Sequence, residues 1–309
     1  MQPVQDRFGR GFSGLRVSVT QRCNLACPHC HREGQIRSGE EMEPEEIGKI
    51  VAIAASLGAS KVKITGGEPL MRDDICEIVS AIRPHVREIS MTTNGILLDT
   101  SATTLREAGL DRINISVHSL SREVLKSISG RDCLDDVKRG VSAAAMSGLK
   151  PIKLNMVVLR GINDKEIFDM MRFASQHDAV LQLIELASDR SGCNDDYFVR
   201  HHYSLGELEN YLAENAIEIT HNELHRRARF AIKENGGIIR TELVRSMHNS
   251  IFCANCTRLR LTSDGKLKGC LYDNGHSPNL LEALRGDATM EELKELFLSS
   301  IVNRKPYWS

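Results

Sequence analysis

Six short β-rich runs recur, Leu15–Thr20, Lys61–Thr65, Glu88–Thr93, Arg112–His118, Lys153–Leu159 and Val180–Leu186, and the first, second, fourth and fifth alternate apolar with polar residues. That period predicts β-strands. Between them Pro44–Leu57, Asp73–Ile82, Leu134–Met146 and Asp164–Ser175 carry apolar residues at helical spacing. Strand and helix in alternation predict parallel β/α units, hence an α/β fold built as an incomplete (β/α)6 TIM-like barrel. After about residue 189 the rhythm changes. A helix near Ser204–Asn215 precedes a hairpin, Arg229–Lys233 and Ile238–Leu243, turning at Asn235-Gly236-Gly237. A second hairpin, Thr257–Thr262 and Leu267–Tyr272, turns at Asp264-Gly265. The expected organisation is a tail over 1–14, a partial barrel over 15–189 and a C-terminal α+β extension over 190–309.

The same alternation sorts each strand into two faces. Arg16, Ser18 and Thr20 share a face, as do Lys61, Lys63 and Thr65; Asn114, Ser116 and His118; and Lys153 and Asn155. Apolar faces pack on outer helices, so the polar faces point inward. A closed barrel is normally filled with Val, Ile and Leu. Here Arg16, Lys61, Lys63 and Lys153 fall in or around the lumen, and Arg258 and Arg260, on one face of a later strand, can close it. Six cations against few inward acids call for a polyanion, and a nucleoside triphosphate matches guanidinium and ammonium donors. The plainer alternative leaves individual lysines at strand ends in solvent.

Composition narrows the class. Over 309 residues, 40 Lys+Arg oppose 41 Asp+Glu for a net charge of -1, which argues against wholesale nucleic-acid binding. The longest apolar run, Ile50–Leu57, is too short for a bilayer, and Met1–Arg10 has no signal-peptide core. A cytoplasmic protein with no membrane or nucleic-acid partner is expected. Of nine cysteines, Cys23, Cys27 and Cys30 form one group and Cys253, Cys256 and Cys270 another, while Cys76, Cys133 and Cys193 stand alone as small buried residues. Tight groups without a secretion signal read as metal or cluster ligands. Three thiolates hold three irons of a [4Fe-4S] cube and leave the fourth open. The other reading of each group is zinc, completed by His29 or His31 in the first and by His248 or His276 in the second.

The first group, C-N-L-A-C-P-H-C, follows the first strand, and Gly66-Gly67-Glu68-Pro69 follows the second, where a β/α barrel builds its active face. This pair of motifs resembles the radical S-adenosylmethionine superfamily. The resemblance implies a cofactor chelated to the open iron and cleaved reductively to a 5′-deoxyadenosyl radical. The segments L-R-V-S-V-T-Q-R-C-N, K-V-K-I-T-G-G-E-P-L-M-R and F-C-A-N-C-T-R-L-R-L-T-S-D-G-K-L-K-G-C resemble, more narrowly, the GTP 3′,8-cyclase family of molybdenum-cofactor biosynthesis. The match runs from about residue 14 to about residue 273.

That family resemblance implies two [4Fe-4S] clusters, one on Cys23, Cys27 and Cys30 and an auxiliary one on Cys253, Cys256 and Cys270. It implies Gly66, Gly67, Glu68, Thr92, Ser116 and Asn155 at or near S-adenosylmethionine, and Arg16, Lys61, Lys63, Lys153, Arg258 and Arg260 around GTP. The implied reaction takes the ribose 3′ hydrogen and joins carbon 3′ to carbon 8 of guanine. An electron donor and a downstream enzyme forming a cyclic pyranopterin are the implied partners. Two positions depart from the family pattern: Gln182 stands where an arginine is usual, and Pro306-Tyr307-Trp308-Ser309 stands where a Gly-Gly tail is usual. The rival readings are a radical enzyme of the same build acting on a peptide or another small molecule, and a non-catalytic, zinc-bearing interaction domain.

Overall fold

A computed structural model describes residues 4–35, 39–222, 224–234, 237–273, 275 and 277–308. Its centre is a run of parallel strands: β1 (Gly14–Ser18), β2 (Lys61–Thr65), β3 (Glu88–Thr93), β4 (Arg112–Ser116), β5 (Ile152–Val158) and β6 (Ala179–Glu185). Five further strands come from the C-terminal part: β7 (Ala216–His221), β8 (Ala228–Glu234), β9 (Gly237–Val244), β10 (Arg258–Leu261) and β11 (Leu267–Lys268). All belong to one 11-stranded sheet in the order β11-β10-β1-β2-β3-β4-β5-β6-β9-β8-β7. The α/β fold is therefore a partial barrel whose C-terminal extension continues the sheet at both edges. At one edge β10 lies parallel to β1 and β11 turns back against it. At the other, β9 lies parallel to β6, and β8 and β7 return antiparallel.

The expected hairpins form, with adjustments. Asn235 and Gly236, two residues of the first expected turn, lie outside the described residues, as does His276. The second hairpin is shorter than its apolar pattern suggests: β11 ends at Lys268, so Cys270 follows the strand instead of lying in it. The turn between its strands needs Gly265, at φ 80°, where a Cβ would stand 2.2 Å from Leu281 Cβ. The edge strand β7 and the helices Ala102–Glu107, Arg122–Ser129, Asp196–His201, Leu280–Arg285 and Met290–Val302 have no counterpart in the sequence reading.

The apolar strand faces pack outward as the alternation requires. Leu15, Val17, Val62, Ile64, Ile89, Met91, Ile113, Ile115, Leu154 and Leu181 are all buried in one core. The helix Pro44–Ser56 lays Ile47, Ile50, Val51 and Ile53 on that core, at about 1.5–3 kcal/mol per buried side chain. Pro44 at its first turn and a reciprocal Glu43–Glu46 capping box set where it starts. Among the described residues no helix is long and apolar enough to cross a membrane.

Candidate functional site

Strand direction places the two cysteine groups. Cys23, Cys27 and Cys30 follow β1 and so lie beyond its C-terminal end. Cys253 and Cys256 precede β10, which is parallel to β1, and Cys270 follows the returning β11. The second group therefore lies at the opposite end of the same sheet, with the inner face of β1 and β10 between the two. A five-residue strand spans roughly 16 Å.

All nine cysteines are free thiols. Burial pushes the Cys27 thiol up to about 12, and the neighbouring Cys30 and Cys23 add to it. A thiolate there is costly while no cation is bound, and three sulfurs in one loop are donors of the type an iron–sulfur cluster takes. Backbone N–H groups support the sulfurs: Arg32 N donates to Cys30 Sγ at 3.4 Å, and Leu25, Arg258 and Tyr272 serve Cys23, Cys256 and Cys270. Cys256 differs in sign. Burial would raise its pKa, but the Arg258, Arg304 and Arg10 cations hold it below the usual thiol range. The described histidines of the zinc readings pack against other rings, and His29 Nδ1 is buried without a hydrogen-bond partner. His29 packs edge-on against His118, His31 against Tyr272, and His248 lies 4.2 Å from Trp308 between ring centroids. Cys133 is buried, while Cys76 and Cys193 are half-buried.

The two glycines after β2 serve the first cysteine loop. Gly67 N donates to Thr20 O at 2.7 Å and Glu68 N to Arg22 O at 2.8 Å. A Cβ on Gly67 would stand 2.3 Å from Arg22 O, and one on Gly66 would stand 2.6 Å from Thr20 O. Glu68 is buried, and its carboxylate accepts from Leu70 N, Thr93 Oγ1 and Asn94 N, tying the β2 loop to the β3 loop. Thr92 and Ser116 line the inner face at half burial. Asn155, the register partner of Ser116, has its Oδ1 buried without a hydrogen-bond partner, so a ligand donor fits there.

Register also builds the cation belt. Arg260, Arg16 and Lys63 are consecutive cross-strand partners on β10, β1 and β2. Burial, then the Arg16, Arg112, Arg258 and Lys153 charges, hold the Lys63 ammonium well below its ordinary range. Burial likewise lowers Arg258 to about 10. Lys61 departs from the group: at the strand start it is half-exposed, 4.0 Å from Glu88. The expectation of few inward acids is corrected, because three carboxylates face these cations. Glu33 bonds Arg16 and Arg260, Glu88 bonds Arg112, and Glu242 holds Lys153 at 2.7 Å. For Glu33, burial would raise the pKa, but Arg16 and Arg260 outweigh it and hold it at about 2. Gln182 lies inside this web, accepting from Asn114 Nδ2 at 3.2 Å and donating to Glu242.

Several site residues were not legible beforehand. Glu33 comes from a loop, Arg112 from a strand end, and Glu242 and Arg229 meet Lys153 only because β8 and β9 join the sheet. His225, buried and stacked on Phe252, meets Arg258 at 3.2 Å. Near the first cysteine group a cavity of about 680 Å³ is lined by Cys30, His29, Asp189, Tyr197 and Tyr272 among others. Tyr307 packs on Tyr272 and Trp308, with the Arg190 guanidinium over both Tyr307 and Trp308.

Residues 17–174 match the Radical SAM superfamily, and residues 179–309 match the family described as Molybdenum Cofactor Synthesis C. The probable GTP 3′,8-cyclase of Pyrococcus abyssi is 49% identical over 304 residues, covering 98% of this chain and 99% of that protein. That of Thermococcus kodakarensis is 48% identical over 306 residues, covering 99% of each. The chain belongs to the GTP 3′,8-cyclase family of radical SAM enzymes. Membership of this enzyme family brings S-adenosylmethionine and a [4Fe-4S] cluster, and the thiol loop after β1 has the donors for the latter. The fold is similar to that of solved structures with bound S-adenosylmethionine. Streptococcus suis SuiB bound to S-adenosylmethionine aligns at TM-score 0.65 and 16% identity, over 92% of this chain and 68% of that one. The anSMEcpe structure with bound AdoMet aligns at 0.60 and 18%, over 92% and 80%.

Proposed function

We propose that this chain is a GTP 3′,8-cyclase that converts GTP to (8S)-3′,8-cyclo-7,8-dihydroguanosine 5′-triphosphate. The observation that carries the reading is the half-buried belt of Arg16, Lys63, Arg258 and Arg260 on the inner sheet face, between two separate thiol triads. Such a belt holds the triphosphate, since guanidinium and ammonium groups match its oxygens. Lys153 sits deeper, and Lys61 serves the rim. Gly66, Gly67, Glu68, Thr92, Ser116 and Asn155 form the S-adenosylmethionine end: the glycines and Glu68 shape the loop, while Ser116 and the unpartnered Asn155 Oδ1 offer polar contacts.

When bound, S-adenosylmethionine and the first cluster supply the hydrogen-abstracting radical chemistry. The protein's own part is to align ribose and base and to exclude water. Cys253, Cys256 and Cys270 hold an auxiliary [4Fe-4S] cluster at the guanine end; the cations beside Cys256 favour a thiolate ligand there. The chain is organised as a tail (1–14), a (β/α)6 partial barrel (15–189) and an auxiliary-cluster region (190–309). It works in the reducing cytoplasm, where nine unpaired cysteines persist. A reductant supplies electrons, and a downstream enzyme forming a cyclic pyranopterin consumes the product.

Anaerobic incubation with S-adenosylmethionine, a reductant and GTP tests the reading. Release of 5′-deoxyadenosine should depend on GTP and accompany a cyclised nucleotide detectable by mass. Equal release with and without GTP would instead favour a peptide or other small molecule as substrate.

A further inference from the structure

The belt proposed to hold the triphosphate already holds an anion from this chain. Glu33 Oε1 accepts from Arg16 Nη2 at 2.5 Å and Thr65 Oγ1 at 2.9 Å, and Oε2 accepts from Arg16 Nε at 2.8 Å and Arg260 Nη1 at 2.6 Å. A two-pronged guanidinium contact, a second arginine and a hydroxyl together make a phosphate-type cradle. A carboxylate has about four acceptor positions, and all are used here.

The arm that delivers this carboxylate is strained. Arg32, Glu33 and Gly34 lie in succession at φ 47°, 54° and 73°. Glycine suits that region and the other two residues do not. Only firm anchors keep such a turn in place. Arg32 N donates to Cys30 Sγ, Lys268 Nζ donates to Gly34 O at 2.6 Å, and Gln35 Nε2 donates to Asp264 Oδ1 at 3.1 Å. The main chain is thus pinned on both sides, and the carboxylate leaves the arginines by rotating its own side chain.

The remaining belt cations have neutral partners. Lys63 donates to Asn114 Oδ1 at 3.1 Å, and Arg258 meets His225. Among the described residues, an arriving polyanion therefore finds two cations without a counter-carboxylate beside two that have one. Resting on the GTP reading above, we infer that Glu33 is a specificity-determining stand-in for phosphate: it occupies Arg16 and Arg260 until a triphosphate displaces it. A neutral nucleoside brings no charge to exchange for the carboxylate. Selection for the phosphorylated substrate is built into this exchange, and the two arginines stay aligned meanwhile.

The test is binding to anaerobically reconstituted protein, wild type and Glu33→Gln, with GTP, guanosine and inorganic triphosphate as separate probes. Removing the internal competitor should tighten both GTP and triphosphate by about fivefold or more, while guanosine affinity stays within about twofold. The ratio of triphosphate to guanosine affinity within each variant cancels any general loss of folded protein, and Glu33→Ala should move it in the same direction. Unchanged or weaker triphosphate binding in both variants would overturn the inference and make Glu33 a structural pin. Tightened triphosphate binding with no GTP binding by any form would uphold the role of Glu33 and sink the cyclase reading.

Discussion

Lys63 shows how a single side chain acquires its function from where the fold puts it. Burial and the Arg16, Arg112, Arg258 and Lys153 cations favour its neutral amine when no anion is near. A phosphate beside it reverses that balance, so GTP binding should raise its pKa and take up a proton. Affinity should then fall as pH rises from the Lys63 value of the free protein towards that of the complex. Titration calorimetry in buffers of different ionisation heat should show the uptake, and Lys63→Met should reduce it. Arg258 carries a second expectation. Arg258→Ala removes a charged donor worth about 1.5–3 kcal/mol, so GTP turnover should drop roughly 10- to 100-fold. Uncoupled cleavage of S-adenosylmethionine at the other end of the strands should persist. Equal loss of both activities would show that Arg258 supports the whole fold instead of the substrate.

Among the elements, the loops after β1 and β2 behave as one unit. Backbone bonds from Gly67 and Glu68 to Thr20 and Arg22 leave no room for a side chain at Gly67. Gly67→Ala should therefore push the Cys23–Cys30 loop outward. With the second triad holding a cluster of its own, as proposed, reconstituted protein should lose about half its iron while keeping the far-ultraviolet circular dichroism of the fold. Iron content equal to wild type would mean that the loop absorbs the extra methyl. The strands β1 to β4 were legible because each is apolar on the outer face only, a period that a helix cannot imitate, while β5 and β6 add Val157, Val180 and Ile184 to the inner face. β7 was not, because Ile217 and Ile219 remain exposed on an edge strand beside a helix end. Nor was the end of β11, since Cys270 turns away after Lys268.

Across the whole molecule the two ends of the chain meet behind the second cysteine group. Arg304 is buried and donates to Asp6 Oδ2, Arg10 O, Gly11 O and Arg258 O, while Arg10 reaches Asp6 and Cys253 O. This knot fixes the start of β10 and supplies positive charge near Cys256. Arg304→Met leaves Asp6 with one fewer partner and should cost about 3–5 kcal/mol, read as a lower denaturant midpoint. Burial alone would raise the Asp6 carboxyl, but hydrogen bonds and charge from Arg10 hold it below its ordinary value. Its contribution is therefore complete above the ordinary carboxylate pKa and is lost as pH falls through the lowered one. An Asp6→Asn protein should show a flatter loss of stability on acidification. An acid limb as steep as wild type would assign that dependence to other carboxylates.

Local pattern was enough for the parallel strands, the two thiol triads, the glycines after β2 and the polar inner faces of the strands. Each depends on residues within a few positions of one another, where geometry repeats at a fixed period. The tertiary structure decided which charges meet. Glu33 lies 227 residues from Arg260 and Glu242 lies 89 from Lys153, and no periodicity links such pairs. Only β10 lying beside β1 and β9 beside β6 bring them into contact. Burial there makes their mutual charges, and not water, set their ionisation.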